Sequence, residues 1–210
     1  MNTKENSIRV LIADDHAIVR VGLATLLGRV PDFEIVGEAG NGSVAVSKAL
    51  KLVPDVVVLD LVMPKMDGVE VTAALHEKLP DAKILILTSL GTSEDISRAL
   101  SAGASGAILK STANSRLVSA IRLVAGGNRV VSPEIENMFS NDPPIPELSP
   151  RQRDILESIT RGLINNEIAM QFGISPESVK THIAKLFEKI GAATRSEAAS
   201  IALRKHLLKI

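Results

Sequence analysis

The first 125 residues alternate short apolar segments with longer segments in which apolar and polar residues mix. The short segments are continuously apolar, which is typical of strands buried on both faces of a parallel sheet. In the segments between them, such as 18–27, apolar residues recur at helical spacing. Five strand–helix units therefore predict a five-stranded parallel sheet covered by helices. The predicted strands are Ile8–Ala13, Phe33–Val36, Val56–Leu59, Ile84–Leu87 and Ala107–Leu109.

Residues 147–210 lack strand-like segments and carry the start signals of four helices. Each predicted start is a capping residue, and two of these residues are followed by proline at the first helical position. Gly173 permits a left-handed turn between the second and third helices. Two helices joined by a tight glycine-containing turn are the pattern of a helix-turn-helix. The predicted starts are Ser149, Asn165, Ser175 and Thr194.

Residues 126–146 separate these two patterns and are rich in proline and turn-forming residues. Such a composition predicts a linker, with one helical turn at Pro133–Phe139. The expected organisation is therefore an α/β domain over 1–125, a linker over 126–146 and an all-α domain over 147–210. The α/β domain is expected to be a flavodoxin-like (βα)5 sandwich.

The composition of the 210 residues is that of a globular protein, with 45% hydrophobic and 23% charged residues. No apolar segment approaches the roughly 20 residues that span a bilayer, and the polar start lacks the apolar core of a signal peptide. The absence of cysteine excludes disulfides, thiolate metal sites and cysteine nucleophiles. With no tryptophan or tyrosine, stacking platforms for single-stranded nucleic acid are not expected. We expect a cytoplasmic protein.

Although the whole chain is neutral, its charge is unevenly distributed. Residues 1–125 carry 13 basic and 14 acidic side chains, whereas residues 147–210 carry 10 and 7. A mildly basic C-terminal third is compatible with a polyanion partner, but an excess of this size is also usual for a solvated surface.

Polar residues follow the predicted strands where parallel strands end at one edge of the sheet. Asp14 and Asp15 follow the first strand and Asp60 follows the third. Three neighbouring carboxylates require a proton or a cation, and magnesium suits a site of oxygen ligands and waters. Thr88 ends the fourth strand and Lys110 follows the fifth. Together these groups suit phosphoryl transfer to Asp60, although each residue alone is more often a cap, a turn former or a surface residue.

Residues 8–124 resemble the receiver domain of bacterial two-component response regulators. The resemblance implies that Asp60 is the phosphoacceptor and that Asp14, Asp15, Asp60 and the Val62 carbonyl bind Mg2+. It also implies that Thr88 and Lys110 contact the phosphoryl group. The matching segments are Val10–His16, Val58–Gly68, Leu87–Thr88 and Gly103–Lys110.

Two features depart from the receiver pattern or modify it. Ala107 stands where the family commonly has an aromatic residue that rotates inward on phosphorylation, so the usual coupling of threonine to the aromatic ring cannot operate here. Val62 and Leu90 each lie two residues beyond a site residue and are apolar. We hypothesise that they shield the acyl phosphate from water.

Basic and polar residues cluster on the third predicted C-terminal helix. Lys180 and Thr181, near its start, are the candidates for contacts with base edges. Ser178, His182 and Lys185 are candidates for base or phosphate contacts, and Lys189 for a phosphate contact. An amphipathic helix with solvated lysines is the alternative that charge alone favours.

Residues 147–208 resemble a LuxR-type DNA-binding domain, and with the receiver the whole chain resembles the NarL/FixJ class of response regulators. The resemblance implies dimers on double-stranded DNA, with the last helix in the dimer contact. Ile164 and Asn166 replace a capping serine and a basic residue of the family, so we expect Asn165 to take over the cap and DNA binding to be weaker. Ala184 replaces a lysine of some relatives. The matching segments are Leu148–Gln152, Gly162–Ala169, Ile174–His182, Lys189–Gly191 and Arg195–Ala198.

These observations predict a transcription regulator whose dimerisation and DNA binding depend on phosphorylation of Asp60, rather than an enzyme with a diffusible substrate. The phosphoryl donor is expected to be a sensor histidine kinase or a small phosphodonor, and RNA polymerase is a further candidate partner. The alternative is a phosphorylation-independent dimeric DNA-binding protein with a vestigial receiver. An aspartyl-phosphate phosphatase of the dehalogenase-like class is disfavoured, because Val62 replaces the second acid that this class requires.

Overall fold

The computed structural model describes residues 7–89 and 91–208, which form ten helices and a six-stranded sheet. The strand order is β2-β1-β3-β4-β5-β6, and every neighbouring pair is parallel. The predicted flavodoxin-like class is confirmed, with one strand more than expected. The strands are β1 Ile8–Ala13, β2 Phe33–Ala39, β3 Val56–Leu59, β4 Lys83–Thr88, β5 Gly106–Leu109 and β6 Val130–Val131. Helices of this unit are α1 Ala17–Leu27, α2 Gly42–Leu52, α3 Gly68–Lys78, α4 Ser93–Ser101, α5 Asn114–Ala125 and α6 Pro133–Asn141.

The central strands are buried on both faces, as their continuous hydrophobicity predicts. Val10 and Ile12 belong to an apolar cluster on one face of the sheet, and Leu11 and Ala13 belong to a cluster on the other. All four side chains are almost completely buried. Since successive side chains of a strand point to opposite faces, a double-sided core requires apolar residues at every position.

The prediction of a linker over 126–146 is wrong for most of its length. β6 pairs with β5, and α6 is a regular helix of nine residues rather than one turn. Ile135 of α6 is fully buried in the sheet core. Pro133 lies at the start of this helix, where proline is favourable rather than disruptive. The first compact unit accordingly ends at Asp142, and the second begins at Pro143.

The second unit contains the four predicted helices around one apolar core. Ser149 caps the first helix by a reciprocal pair of hydrogen bonds with Gln152, and Gly173 has the predicted left-handed conformation, with φ of 62°. The core includes Leu156, Ile168 and Leu186, all fully buried. The helices are α7 Pro150–Thr160, α8 Asn165–Phe172, α9 Pro176–Ile190 and α10 Arg195–Arg204.

Among residues 7–89 and 91–208, none of the helices combines the length and the apolar composition that crossing a bilayer requires.

Candidate functional site

The carboxyl ends of four central strands meet at one edge of the sheet. The Asp60 N–H, after β3, donates to the Ala13 carbonyl of β1 at 2.8 Å. The Lys110 N–H, after β5, donates to the Thr88 carbonyl of β4, also at 2.8 Å. These backbone bonds continue the sheet by one residue and place the predicted side chains at neighbouring positions. Asp14 is 1% exposed, Asp60 is 4% exposed and Thr88 is completely buried.

Lys110 joins the two buried carboxylates. Its ammonium lies 2.6 Å from Asp14 Oδ2 and 2.7 Å from Asp60 Oδ2. Burying two carboxylates in one pocket is costly unless a positive charge compensates them. The lysine therefore gives the pocket a fixed cation within hydrogen-bond distance of both acids.

The pKa values of this pair follow from burial and mutual contact. Burial raises the pKa of the Asp60 carboxyl, opposed by Lys110 and reinforced by the charge of Asp14. Burial would lower the pKa of the Lys110 ammonium, but its contacts with Asp14 and Asp60 outweigh burial and the pKa is raised. The pocket thus keeps the Lys110 ammonium charged and makes deprotonation of the Asp60 carboxyl harder than in water.

The loop after β1 adds two further groups with ligand atoms. The N–H of His16 donates to Asp14 Oδ1 at 2.8 Å, and its Nδ1 lies 2.7 Å from Asp15 Oδ1. One ligand atom from each of Asp14, Asp15, His16 and Asp60 falls within 4.8 Å of the others. Three carboxylates beside an open rim fit a hard divalent cation that retains several waters. His16 is also the N-cap residue of α1, although its side chain does not cap the helix by a hydrogen bond.

The loop after Asp60 is shaped by a close backbone approach. A Cβ at Gly68 would lie 2.6 Å from the Asp60 carbonyl oxygen, so only glycine fits at the start of α3. Asp67 and Glu70 cap this helix reciprocally. Val62 is exposed, and its N–H donates to Asp60 Oδ1 at 3.4 Å. Leu90, the other half of the shielding hypothesis, lies outside the described residues, and the hypothesis stays a prediction.

Ala107 is fully buried on β5, between Ile86 and Val131 in the sheet register. It shares an apolar cluster with Ile96 of α4 and Ile135 of α6. The methyl group of Ala107 therefore occupies the core at the position where the receiver pattern commonly has an aromatic ring that rotates inward.

The predicted DNA-contacting residues of α9 differ in exposure. Ser178, Lys180, Thr181 and Lys185 are exposed, and His182 is half-buried. The Thr181 hydroxyl donates to the Glu177 carbonyl within the same helix at 3.1 Å. The opposite face of α9 packs through Val179, Leu186 and Ile190 into the core of the second unit. The helix thus presents its N-terminal polar residues and two lysines on a surface.

Lys189, the predicted phosphate contact, lies in the last turn of α9 and contacts the segment that starts α7. Its ammonium donates to the Glu147 carbonyl at 2.6 Å and lies 3.4 Å from Gln152 Oε1. The long-range contact attaches α9 to the start of α7 and engages the group that the sequence suggested for a phosphate. The phosphate contact of Lys189 stays a prediction, and the interface proposed below does not depend on it.

The expected transfer of the α8 cap to Asn165 is wrong. Ile164 is the N-cap residue, is 60% exposed and has no side-chain oxygen to offer. Glu167 still accepts from the Ile164 N–H at 2.8 Å, so half of a capping box persists. The Asn165 side chain instead accepts from Arg195, which also donates to the Leu163 carbonyl.

Sequence reasoning missed Arg20, whose Nη1 donates to the Asp14 carbonyl at 2.7 Å. Helical spacing places this residue on α1, but nothing in its local pattern indicates a contact with the preceding loop.

Two family models match the chain over the two units just described. The response regulator receiver domain matches residues 10–122, and the luxR family of bacterial regulatory proteins matches residues 146–202. The chain belongs to the two-component response regulators that join a receiver domain to a LuxR-type helix-turn-helix. This confirms the resemblance found in the sequence.

Similar proteins extend over nearly the whole chain. The response regulator protein VraR of Staphylococcus aureus is 36% identical over 208 residues, covering 97% of this chain and 100% of the relative. The structure of the response regulator ChrA of a heme-sensing two-component system is 36% identical, with a TM-score of 0.58, and covers 97% of this chain and 100% of ChrA. A structure of two RcsB dimers bound to two parallel DNAs is 25% identical, with a TM-score of 0.69, covering 95% and 99% of the two chains.

Proposed function

We propose that Asp60 accepts a phosphoryl group and that its phosphorylation controls the transcription-regulating activity of this response regulator. The observation that carries the proposal is the position of the Lys110 ammonium, 2.7 Å from Asp60 Oδ2 and 2.6 Å from Asp14 Oδ2. A lysine held between two buried acids is ready to neutralise the phosphoryl oxygens that arrive there.

In the proposed reaction, an Asp60 carboxylate oxygen forms a bond to phosphorus while the bond from phosphorus to the donor breaks. The donor group departs with the bonding electron pair. Lys110 and the Thr88 hydroxyl hold the phosphoryl oxygens. Asp14, Asp15, Asp60 and the Val62 carbonyl would hold Mg2+, which supplies charge neutralisation when bound. Hydrolysis of the acyl phosphate by water returns Asp60 to a carboxylate, so the receiver catalyses only changes on its own side chain.

A sensor histidine kinase is the proposed donor, alongside small phosphodonors. A protein donor must bring its phosphohistidine to the rim of the pocket. α1 begins directly after the Asp14–His16 loop and carries Ile18, 89% exposed, and Val21, 62% exposed. Large exposed apolar side chains beside a site commonly mark a protein contact.

The DNA contacts are assigned to α9. Lys180 and Thr181 would contact base edges, and Ser178, His182 and Lys185 bases or phosphates. A homodimer on double-stranded DNA is supported by the likeness to RcsB, whose dimers are bound to DNA in the similar structure.

RNA polymerase is a further proposed partner, and such a role would place the protein with the chromosome in the cytoplasm. A coupling of about 1–3 kcal/mol between phosphorylation and dimerisation would give a graded switch.

The test is phosphorylation of the full chain by acetyl phosphate with Mg2+, measured as the gain of one phosphoryl group in the intact mass. We expect gain in the native protein and none in Asp60→Asn. Asp81→Asn, which changes an exposed carboxylate of the same unit, is the matched control and should behave as native. Oligomer size and DNA affinity are then measured with and without beryllofluoride.

A phosphorylation-independent DNA-binding dimer is the second candidate, favoured by the small Ala107 side chain in the buried core. It predicts the same oligomer size and DNA affinity for the native protein and Asp60→Asn under every condition. Phosphate-dependent changes that disappear in Asp60→Asn would exclude it.

A further inference from the structure

Arg20 lies at the end of the first turn of α1, close behind the loop that carries Asp14 and Asp15. Its Nη1 donates to the Asp14 main-chain carbonyl at 2.7 Å, and its side chain is 20% exposed. Holding a long side chain in one conformation costs entropy, so a mostly buried arginine must be stabilised by its contacts. Arg20 therefore connects the helix to the backbone of the acidic loop.

The same guanidinium lies against the end of β2. A Cβ at Gly40 would lie 3.4 Å from Arg20 Nη1, and Arg20 Nε is 4.0 Å from Glu38 Oε2. The Asp14 N–H donates to the Ala39 carbonyl of β2 at 3.1 Å. Asp14 is thus held on both sides of its main chain, by β2 at the N–H and by Arg20 at the carbonyl.

The positive charge of Arg20 does not by itself favour the binding of a divalent cation nearby. A guanidinium beside a group of carboxylates repels an arriving divalent cation. Arg20 nevertheless donates at close range to a neutral carbonyl, and its ion pair with Glu38 is long. These distances therefore indicate that Arg20 fixes the loop rather than neutralises the carboxylates of the pocket.

We propose that Arg20 is a positioning residue for the cation-binding carboxylates. By fixing the Asp14 carbonyl against α1 and the end of β2, it keeps Asp14 and Asp15 within reach of Asp60. The inference rests on the proposed function, since it assumes that these carboxylates bind Mg2+. Residues that orient ligands typically contribute about 10–100-fold to metal affinity.

The experiment is calorimetric titration of the full chain with MgCl2. Arg20→Met should bind Mg2+ about tenfold more weakly than the native protein. Loss of a repelling charge alone predicts the opposite sign, namely tighter binding. Arg20→Lys retains the positive charge but lacks the planar guanidinium group, and it should show a smaller loss of Mg2+ affinity. Arg29→Met, which removes an exposed arginine just beyond α1, is the control and should bind as native.

Amide hydrogen exchange in the metal-free protein gives a second readout. Faster exchange at 14–16 in Arg20→Met, with native rates in the second unit, would support the proposal. Native or tighter Mg2+ affinity in a folded Arg20→Met would overturn it. If that variant fails to fold, Arg20→Lys decides: weaker Mg2+ binding supports the proposal and native affinity overturns it. Failure of the proposed function is separate, since it appears as a native protein that acetyl phosphate does not modify.

Discussion

The pocket at the sheet edge and the exposed face of α9 differ in whether their polar side chains already have partners within the chain. In the pocket, the Lys110 ammonium already contacts both Asp14 and Asp60. On α9, Lys180 and Lys185 are exposed. A preassembled polar cluster contributes to folding as well as to chemistry, whereas an exposed cation contributes mainly when a partner arrives. Substitutions in the two regions should therefore have different effects on stability and binding.

The largest effect is expected for Lys110→Met. Loss of the lysine ammonium leaves Asp14 and Asp60 buried together without their shared cation. The pKa of Asp60 should therefore rise further, and the free energy of unfolding should fall by about 2–4 kcal/mol. Proton uptake by one carboxyl limits the cost. Urea denaturation of the metal-free chain measures this loss of stability. The control is Lys78→Met, which removes an exposed lysine. Equal stabilities of the two variants would contradict a structural role for the ion pairs.

Within α9, Lys185→Ala and Lys189→Ala should separate binding from stability. Lys185→Ala should weaken DNA binding about tenfold, roughly 1.4 kcal/mol, and lower the dependence of log affinity on log salt by about one. Lys189→Ala should retain the native salt dependence but lose about 1 kcal/mol of stability, because its contact with the Glu147 carbonyl is removed. Fluorescence anisotropy over a salt series and urea denaturation measure the two effects. An altered salt slope in Lys189→Ala would place that residue in the interface.

Restoring the missing cap of α8 should stabilise the second unit. Ile164→Ser supplies a hydroxyl to the free N–H groups of the first turn and completes the box with Glu167, for a gain of about 1 kcal/mol. The unfolding transition of the second unit in the full chain is the measurement. Ile164→Ala removes the same exposed apolar side chain without adding an oxygen, and it should show no such gain.

The smallest effect is a pH-dependent difference between the native protein and Asp60→Asn. Because burial raises the pKa of Asp60 on folding, its contribution to stability is complete below the unfolded value of about 3.9 and is lost as pH rises through the folded value. Asn does not titrate. The stability of Asp60→Asn relative to the metal-free native protein should therefore increase from about pH 4 towards neutrality.

Thermal unfolding at a series of pH values in a chelating buffer measures this difference. A native protein that gains stability over Asp60→Asn as pH rises would show that Lys110 outweighs the burial of Asp60.

The sheet and the pocket were largely predictable because each depends on a repeated local rule. Continuous apolar segments identified the first five strands, although β2, β4 and β5 extend further than the patterns indicated. Parallel strands end at a common edge, so the residues directly after them, including Asp14, Asp60 and Lys110, collect at that edge. Their closeness to one another depends on the strand order, in which β4 separates β3 from β5.

The linker prediction failed because proline and turn formers were given more weight than the apolar residues between them. The segment has few apolar residues, but Val130 and Val131 form an edge strand beside β5, and Ile135 is buried against the sheet. Whether so short a segment folds depends on the surface available to it, here the edge of β5. Local composition does not contain that information.

By itself, the sequence determined which chemical groups end which strands and where the helices of the second unit begin, because periodicity and capping act over a few residues. The tertiary structure alone decided that Arg20 holds the Asp14 carbonyl and that Lys189 turns to the start of α7. Long flexible cations can reach many partners. Their choice is made by distances between elements, which exist only once the chain has packed.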